Sequence, residues 1–513
     1  MKIKYISFLV AACLLVGTTA CDDWLDIDQD TEKKADSMFD NYAGFQGALS
    51  GCYSDLAKED LYGTRLTMAD IESLAGLWSI DLNDGPEERK MQCYDLMIHD
   101  YTSSRSVSVI KSIYGGLYNT IIEANNLIKG CRESGQNIAF VASRSVVEGE
   151  AYAIRAFCHL DVLRLFGQLP HNAVRQISLP YSEITSLEEM PIYYTYQEYI
   201  KKLEDDLIKA LSLLKDNDPV CDYTFSQLNP LDGDKANLAP IEDDFMTYRH
   251  YRMNYWAVKA LQARFYMYIG ENKKAHDVAM EVINAKTTNG ETVVKLSSMS
   301  DYGTDKTNFN SSSECLFALY IKKLYDISVP ILAGGEVAGT SNVTQIDPKK
   351  HLTLTEAWLK DLFKNVNTAT DIRFKKMWSN TKTSQNYVFP SIRKHYVYKA
   401  SASSSGDGVI PMLRLSEMYL IAIETAETVT EANELYTAYM VSKGVAVHNV
   451  FSSLADVKNV LIEEFRIELF AEGQMFYYYK RNNISKMWSK EGIIADESVY
   501  VLPVPETEFN PNK

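Results

Sequence analysis

Apolar residues recur along this chain at helical spacing far more often than they alternate. Leu117, Ile121, Ile122, Asn125 and Ile128 mark one face of an amphipathic helix that closes before Gly130. A second helical run covers 146–166, with Gly167 as its stop and Pro170 just beyond. From Tyr255 onward, Trp256, Ala260, Ala263, Met267 and Gly270 are followed by Ala275, Ala279 and Ile283. Small side chains at that spacing let two antiparallel helices approach closely, with Gly270 at the turn, as in a tetratricopeptide pair. Ala153 and Phe157 form a fragment of the same kind, and a third candidate covers 413–426 and 431–441. Such pairs cannot bury their apolar faces alone, so they must stack. The expected fold is mainly α: tetratricopeptide-like pairs near 146–214, 254–285 and 411–443 in one superhelical core, with few short strands. The long stretches 219–244, 289–339 and 379–409 form a loop-rich face, where function concentrates on a helical scaffold.

The first twenty residues read as a signal peptide. Lys2 and Lys4 precede an apolar run from Ile6 to Val16, too short to span a bilayer, which needs about 20 apolar residues. Thr18, Thr19 and Ala20 then lead to Cys21, an arrangement that resembles the bacterial lipobox, with Thr18 where Leu is usual. Lipidation at Cys21 would anchor the chain stably through several acyl chains. Ordinary secretion past a plain cleavage site is the alternative. Residues 21–40 are acidic and polar and read as the tether. Residues 41–513 hold no Pro/Ser/Gly linker and read as a single domain.

Loss of Lys2 and Lys4 with the signal takes the net charge from −16 to −18. That balance argues against nucleic acid, which needs clustered Lys and Arg. Cys52, Cys93, Cys131, Cys158, Cys221 and Cys315 are scattered without a C-x-x-C pair, so neither a zinc site nor a dense disulfide framework is expected. Asp26, Asp28 and Asp30 imitate a calcium loop, but Thr31 and Ser37 stand where Gly and Glu are required. His99, His159 and His276 are isolated from one another. No nucleophile elbow, zinc-protease, P-loop or dinucleotide motif occurs, so no catalytic residue, metal or cofactor is expected.

Five ordered blocks give the chain a family likeness. They are 21–26 (CDDWLD), 148–170 with its LRLFGQLP ending, 411–421 (PMLRLSEMYLI), 464–473 (EFRIELFAEG) with Lys480-Arg481, and 502–506 (LPVPE) leading to 510–512. Together they resemble the SusD/RagB family of surface lipoproteins from gut-type Bacteroidetes. Phe465 and Tyr478 depart from the residues usual there. The resemblance implies a helical tetratricopeptide-like fold, a loop-rich face that captures oligosaccharide or peptide, and a SusC-like TonB-dependent transporter as partner in the outer membrane. From the residues alone, Arg155, Asp161 and Arg164, and likewise Glu464, Arg466, Glu468 and Glu472, read as buttressing ion pairs.

The ligand face is sought among aromatics, of which there are 33 Tyr, 19 Phe and 6 Trp. Sugar rings stack their C–H faces on such side chains, while nearby Asp and Asn bond hydroxyls. Trp78, Asp81, Asn83 and Asp84, before Gly85-Pro86, form the first candidate, in a stretch where the family also places ligand contacts. The alternative has Trp78 closing the core. Tyr320 and Tyr325, after the strand-like run 315–320, form the second, again where the family contributes contacts. Trp358 and Trp378 are further ligand candidates, although each also fits a helix face well enough to be core. The expected function is capture of glycan, or of peptide, and delivery to the transporter. A lipid-anchored scaffold for a protein partner and an exported hydrolase are the rivals.

Overall fold

A computed structural model of the chain describes residues 37–78, 93–174, 176–186, 189–230, 236–302, 311–332, 351–382, 388–395, 408–489 and 493–509. Cys21, Asp81, Asn83 and Asp84 lie outside the described residues.

Capping side chains set where helices begin. Asn41 opens α1 (Tyr42–Leu56) by accepting the Gly44 N–H. A π-type turn (Glu59–Gly63) and the short α2 (Asp70–Leu74) and α3 (Tyr94–Met97) lead to α4 (Ser104–Ser134). Ser103 caps α4, which runs through Gly130 rather than stopping before it. A Cβ at Gly130 would lie 2.7 Å from the Phe39 ring, so this glycine serves close packing instead of a helix stop. Helix α5 (Val141–Phe166) packs between α4 and α6 (Tyr196–Leu214), the latter started by a Thr195/Glu198 capping box.

The next pair, α7 (Tyr255–Ile269) and α8 (Asn272–Ile283), turns at Gly270 in the left-handed region (φ +84°), as the sequence predicts. The shorter α9 (Leu324–Leu332), α10 (Glu356–Leu362) and α11 (Ile372–Met377) follow. Helix α12 (Leu415–Glu424) packs on α8, α13 (Val429–Ser442) and α14 (Leu454–Glu468), and α15 (Met475–Arg481) completes the body. One continuous apolar core extends from Phe45 to Leu502.

Strands are short and pair antiparallel in twos: β1 (Leu179–Pro180) with β2 (Tyr193–Tyr194), β3 (Cys315–Tyr320) with β6 (Val409–Arg414), and β4 (Trp378–Lys382) with β5 (Val388–Ile392). Residues 411–414, expected to open the third helix pair, are therefore strand. The run Val409–Arg414 is buried throughout, and a short all-buried apolar run is where periodicity cannot separate strand from helix.

The acidic residues of the C-terminal block are buried rather than displayed on a helix surface. Glu468 and Glu314 are fully buried and Arg414 is 2 % exposed. The Arg414 guanidinium meets Glu314, Glu468 (2.8 Å) and Glu472 (2.8 Å). Lys443 adds Glu468 (3.4 Å), and Arg373 links Asp371 (2.7 Å), Glu464 and Glu468. Despite burial, Lys443, Arg414 and Arg373 hold Glu468 well below the ordinary carboxylate range. Arg414 and Lys394 do the same, against burial, for Glu472.

Removing one member leaves buried charge unpaired. Glu468→Ala is expected to destabilise the protein by about 3–5 kcal/mol, read as an earlier midpoint in urea unfolding. Carboxylates depressed in the folded state contribute fully above their ordinary range and lose that contribution as pH falls through it. The unfolding midpoint should therefore drop steeply below about pH 4.5 in a titration from neutral pH.

Candidate functional site

The strand pair β3–β6 carries an exposed aromatic at its tip. Tyr320 ends β3 opposite Val409 and is 58 % exposed. Gly408 precedes β6 at φ +82°, and its carbonyl accepts the Ile321 N–H at 2.6 Å. A Cβ there would strike the Ile321 carbonyl at 2.7 Å and press on the Tyr320 ring at 3.3 Å, so the strand return needs glycine. The strand's root is pinned by Asn254, the N-cap of α7, whose side-chain amide donates to the Leu316 carbonyl at 2.8 Å.

Around Tyr320 lies an open groove of about 700 Å³, lined also by Tyr53, Tyr248, Tyr251, Lys58 and Lys322. Tyr248 adopts a left-handed conformation (φ 53°) at the head of the turn Arg249–Tyr251. A fully buried carboxylate on α5, Glu150, organises this wall. It pairs with Arg249, accepts from Arg252 at 2.7 and 3.1 Å, and accepts the Tyr53 hydroxyl. Asp218 grips the other side of Arg249 at 2.6 and 2.9 Å. Burial and the adjacent Glu150 charge push the Tyr53 phenol well above its ordinary pKa, so it remains a donor. The Tyr53 oxygen in turn accepts the Met253 N–H at 2.8 Å. One buried anion thus sets both the groove floor and the turn that carries Tyr248 and Tyr251.

A second groove of about 290 Å³ shares Glu59 with the first and has Thr64, Asp70, Cys93, Pro330 and Ile331 in its walls. Burial raises Asp70 to about 6, and Cys93 Sγ sits 3.5 Å from its carboxylate. Among the described residues, no group of three or more His, Cys, Asp or Glu is placed to hold a metal. Two of the isolated histidines are internal: His159 is buried and stacks on Tyr181 at 3.8 Å, and His276 lies against the Ala422 carbonyl at 3.2 Å.

Of the sequence candidates, Tyr320 stands in the groove. Tyr325 lies in α9, whose Ile327 lines the same groove. Trp78 is 1 % exposed; its indole N–H donates to the Met68 carbonyl at 2.9 Å and its ring meets Phe470 edge-on at 4.9 Å. Trp378 packs against the same Phe470 at 5.1 Å. Trp78 is therefore a core residue, the alternative reading of that stretch. Trp358 is half-buried on α10, edge-on to Trp488 at 5.0 Å, and lines neither groove. Tyr53, Tyr248 and Tyr251 escaped sequence reasoning. The dense run Tyr248-Arg-His-Tyr-Arg252 just before the Asn254 cap was the signal for two of them.

This architecture matches known proteins over nearly its whole length. No family model matches the chain. The SusD-like protein P2 of Formosa agariphila is 24% identical, over 99% of this chain and 97% of its own. A SusD superfamily structure from Bacteroides thetaiotaomicron superposes with a TM-score of 0.67 at 20% identity, covering 92% of this chain and 98% of that one. The fold is SusD-like. The resemblance carried by the five sequence blocks stands with it. A putative sugar binding protein from Bacteroides vulgatus shares the SusD-like fold at TM-score 0.64 and 20% identity, covering 92% and 97% of the two chains. A laminarin binding SusD-like protein does so at 0.61 and 15%, with the same coverage.

Two substitutions separate core from groove. Trp78→Ala should cost about 3–5 kcal/mol of stability through the cavity it leaves. Tyr320→Ala should stay within about 0.5 kcal/mol of the parent. Thermal unfolding of both variants measures the contrast.

Proposed function

We propose that this SusD-like chain is an exported lipoprotein that captures oligosaccharide in the Tyr320 groove and passes it, chemically unaltered, to a SusC-like TonB-dependent transporter of the outer membrane. The observation that carries the reading is the exposed Tyr320 ring above a groove lined by three further tyrosines and two lysines. Flat apolar faces beside hydroxyl and ammonium donors suit a ligand that alternates C–H faces with hydroxyls. A related fold in a laminarin binding protein supports the ligand class. The signal-like start and Cys21 support the anchor, with the acidic tether leaving the body clear of the membrane.

Native affinity electrophoresis against host and dietary polysaccharides tests capture. One or a few glycans should retard the protein, and Tyr320→Ala should abolish most of that retardation while helical circular dichroism is unchanged. Failure across a broad panel would redirect the search to peptides. For the anchor, cells fed labelled palmitate should label the wild-type protein and not Cys21→Ser; equal labelling would sink the lipoprotein reading.

A further inference from the structure

The Tyr320 groove is one arm of a larger system. It shares Lys58 with a third groove of about 610 Å³, floored on α4 by Ser108, Lys111, Ser112 and Asn119. The Asp70 groove shares Glu59 with the first and Asp60 with the third. Three grooves therefore meet at three consecutive exposed residues, Lys58, Glu59 and Asp60, where α1 gives way to the π-type turn.

This junction is held firmly from below. The Gly63 and Leu61 N–H groups donate to the Lys58 carbonyl at 2.9 and 3.0 Å, and the Thr64 hydroxyl donates to the Glu59 carbonyl at 2.8 Å. Tyr62, 1 % exposed, donates its hydroxyl to the buried Asp161 at 2.6 Å. Above this support the exposed groups are braced laterally. Asp60 accepts the Ser112 hydroxyl at 2.9 Å, and Lys58 pairs with Asp55 at 2.6 Å.

The arms differ in chemistry. The Tyr320 arm offers aromatic faces, whereas the α4 arm offers the Asp55 and Asp60 carboxylates with hydroxyl, ammonium and amide groups, and Leu61 as its apolar side chain. A pocket for a single drug-sized molecule typically measures about 300–1,000 Å³. The Tyr320 and α4 arms each fall within that range alone, so a two-unit sugar fills one arm and leaves the other empty. A molecule that occupies both must continue across the Lys58 junction.

We infer that the grooves bind an internal stretch of a long or branched polysaccharide: the tyrosine arm anchors ring faces, and the α4 arm takes a second segment of the same molecule through its hydroxyls. This rests on the glycan-capture reading and adds the size of the ligand to it. Joining two weakly held segments makes the second binding event intramolecular, so affinity rises with chain length.

The test uses the detergent-solubilised full chain and isothermal titration with size-fractionated oligosaccharides of two and eight units from laminarin, xylan and polygalacturonate. Gly115→Trp fills the α4 arm from an exposed helical position where a Cβ meets nothing within 4 Å. Val441→Trp, on a helix that lines none of the three grooves, is the control. For the ladder that binds, the eight-unit chain should bind at least about tenfold tighter than the two-unit chain. Gly115→Trp should remove most of that gain and leave two-unit binding unchanged, while Val441→Trp alters neither. Equal affinity for both lengths, or a length gain untouched by Gly115→Trp, overturns the two-arm inference and leaves capture standing. Silence from every ladder removes the glycan reading and this inference together.

Discussion

Burying charge is the constraint around which this molecule is built. Arg414 and Glu314 lie at the root of the β3–β6 pair, and neither could be buried alone without a cost of several kcal/mol. Their mutual contact, with Glu468 and Glu472 from the C-terminal block, satisfies both and fixes where the two strands meet. Ser416 closes the ring by donating to Glu314 at 2.9 Å and accepting from Lys443 at 2.8 Å. The strand pair is therefore fixed at its root, and its tip carries Tyr320.

The groove's opposite wall repeats the device on a smaller scale. Glu150 on α5 holds Arg249, Arg252 and Tyr53, residues about a hundred positions distant on either side in sequence. The Arg414 centre lies off the grooves and the Glu150 centre reaches the Tyr320 groove through Arg252, and each decides where a groove-lining tyrosine stands. The long helices supply the lever arms: α5 presents Glu150 inward, and α4 presents Ser108, Lys111 and Ser112 outward.

What sequence reading reached follows from the range of the interactions involved. Helix pairs are local, so the Gly270 turn and the small residues about it were legible, as was the stop at Gly167. Tyr320 was legible because an apolar six-residue run ends in it. The strand Val409–Arg414 was hidden because a buried apolar run has no period to read. Trp78 looked equally suited to core or ligand because its deciding partners, the Met68 carbonyl and Phe470, are ten residues away and almost four hundred residues away. Tyr53 and the turn carrying Tyr248 and Tyr251 are tied together by a buried acid from a third segment, a convergence with no local trace. The carboxylates of the C-terminal block read as buttressing pairs, but their partners were hidden for the same reason: the cations come from β6, α11 and Lys443, just past α13.

Separating anchorage from contact has a consequence for diversification. The groups that hold the β3–β6 tip sit at its root, and the groups at the tip, Tyr320 and Lys322, contribute little to holding it. A side chain at the tip can thus be exchanged without disturbing the ionic ring beneath. Selection, or a designer, can rewrite the vocabulary of the groove while its grammar stays fixed in the core.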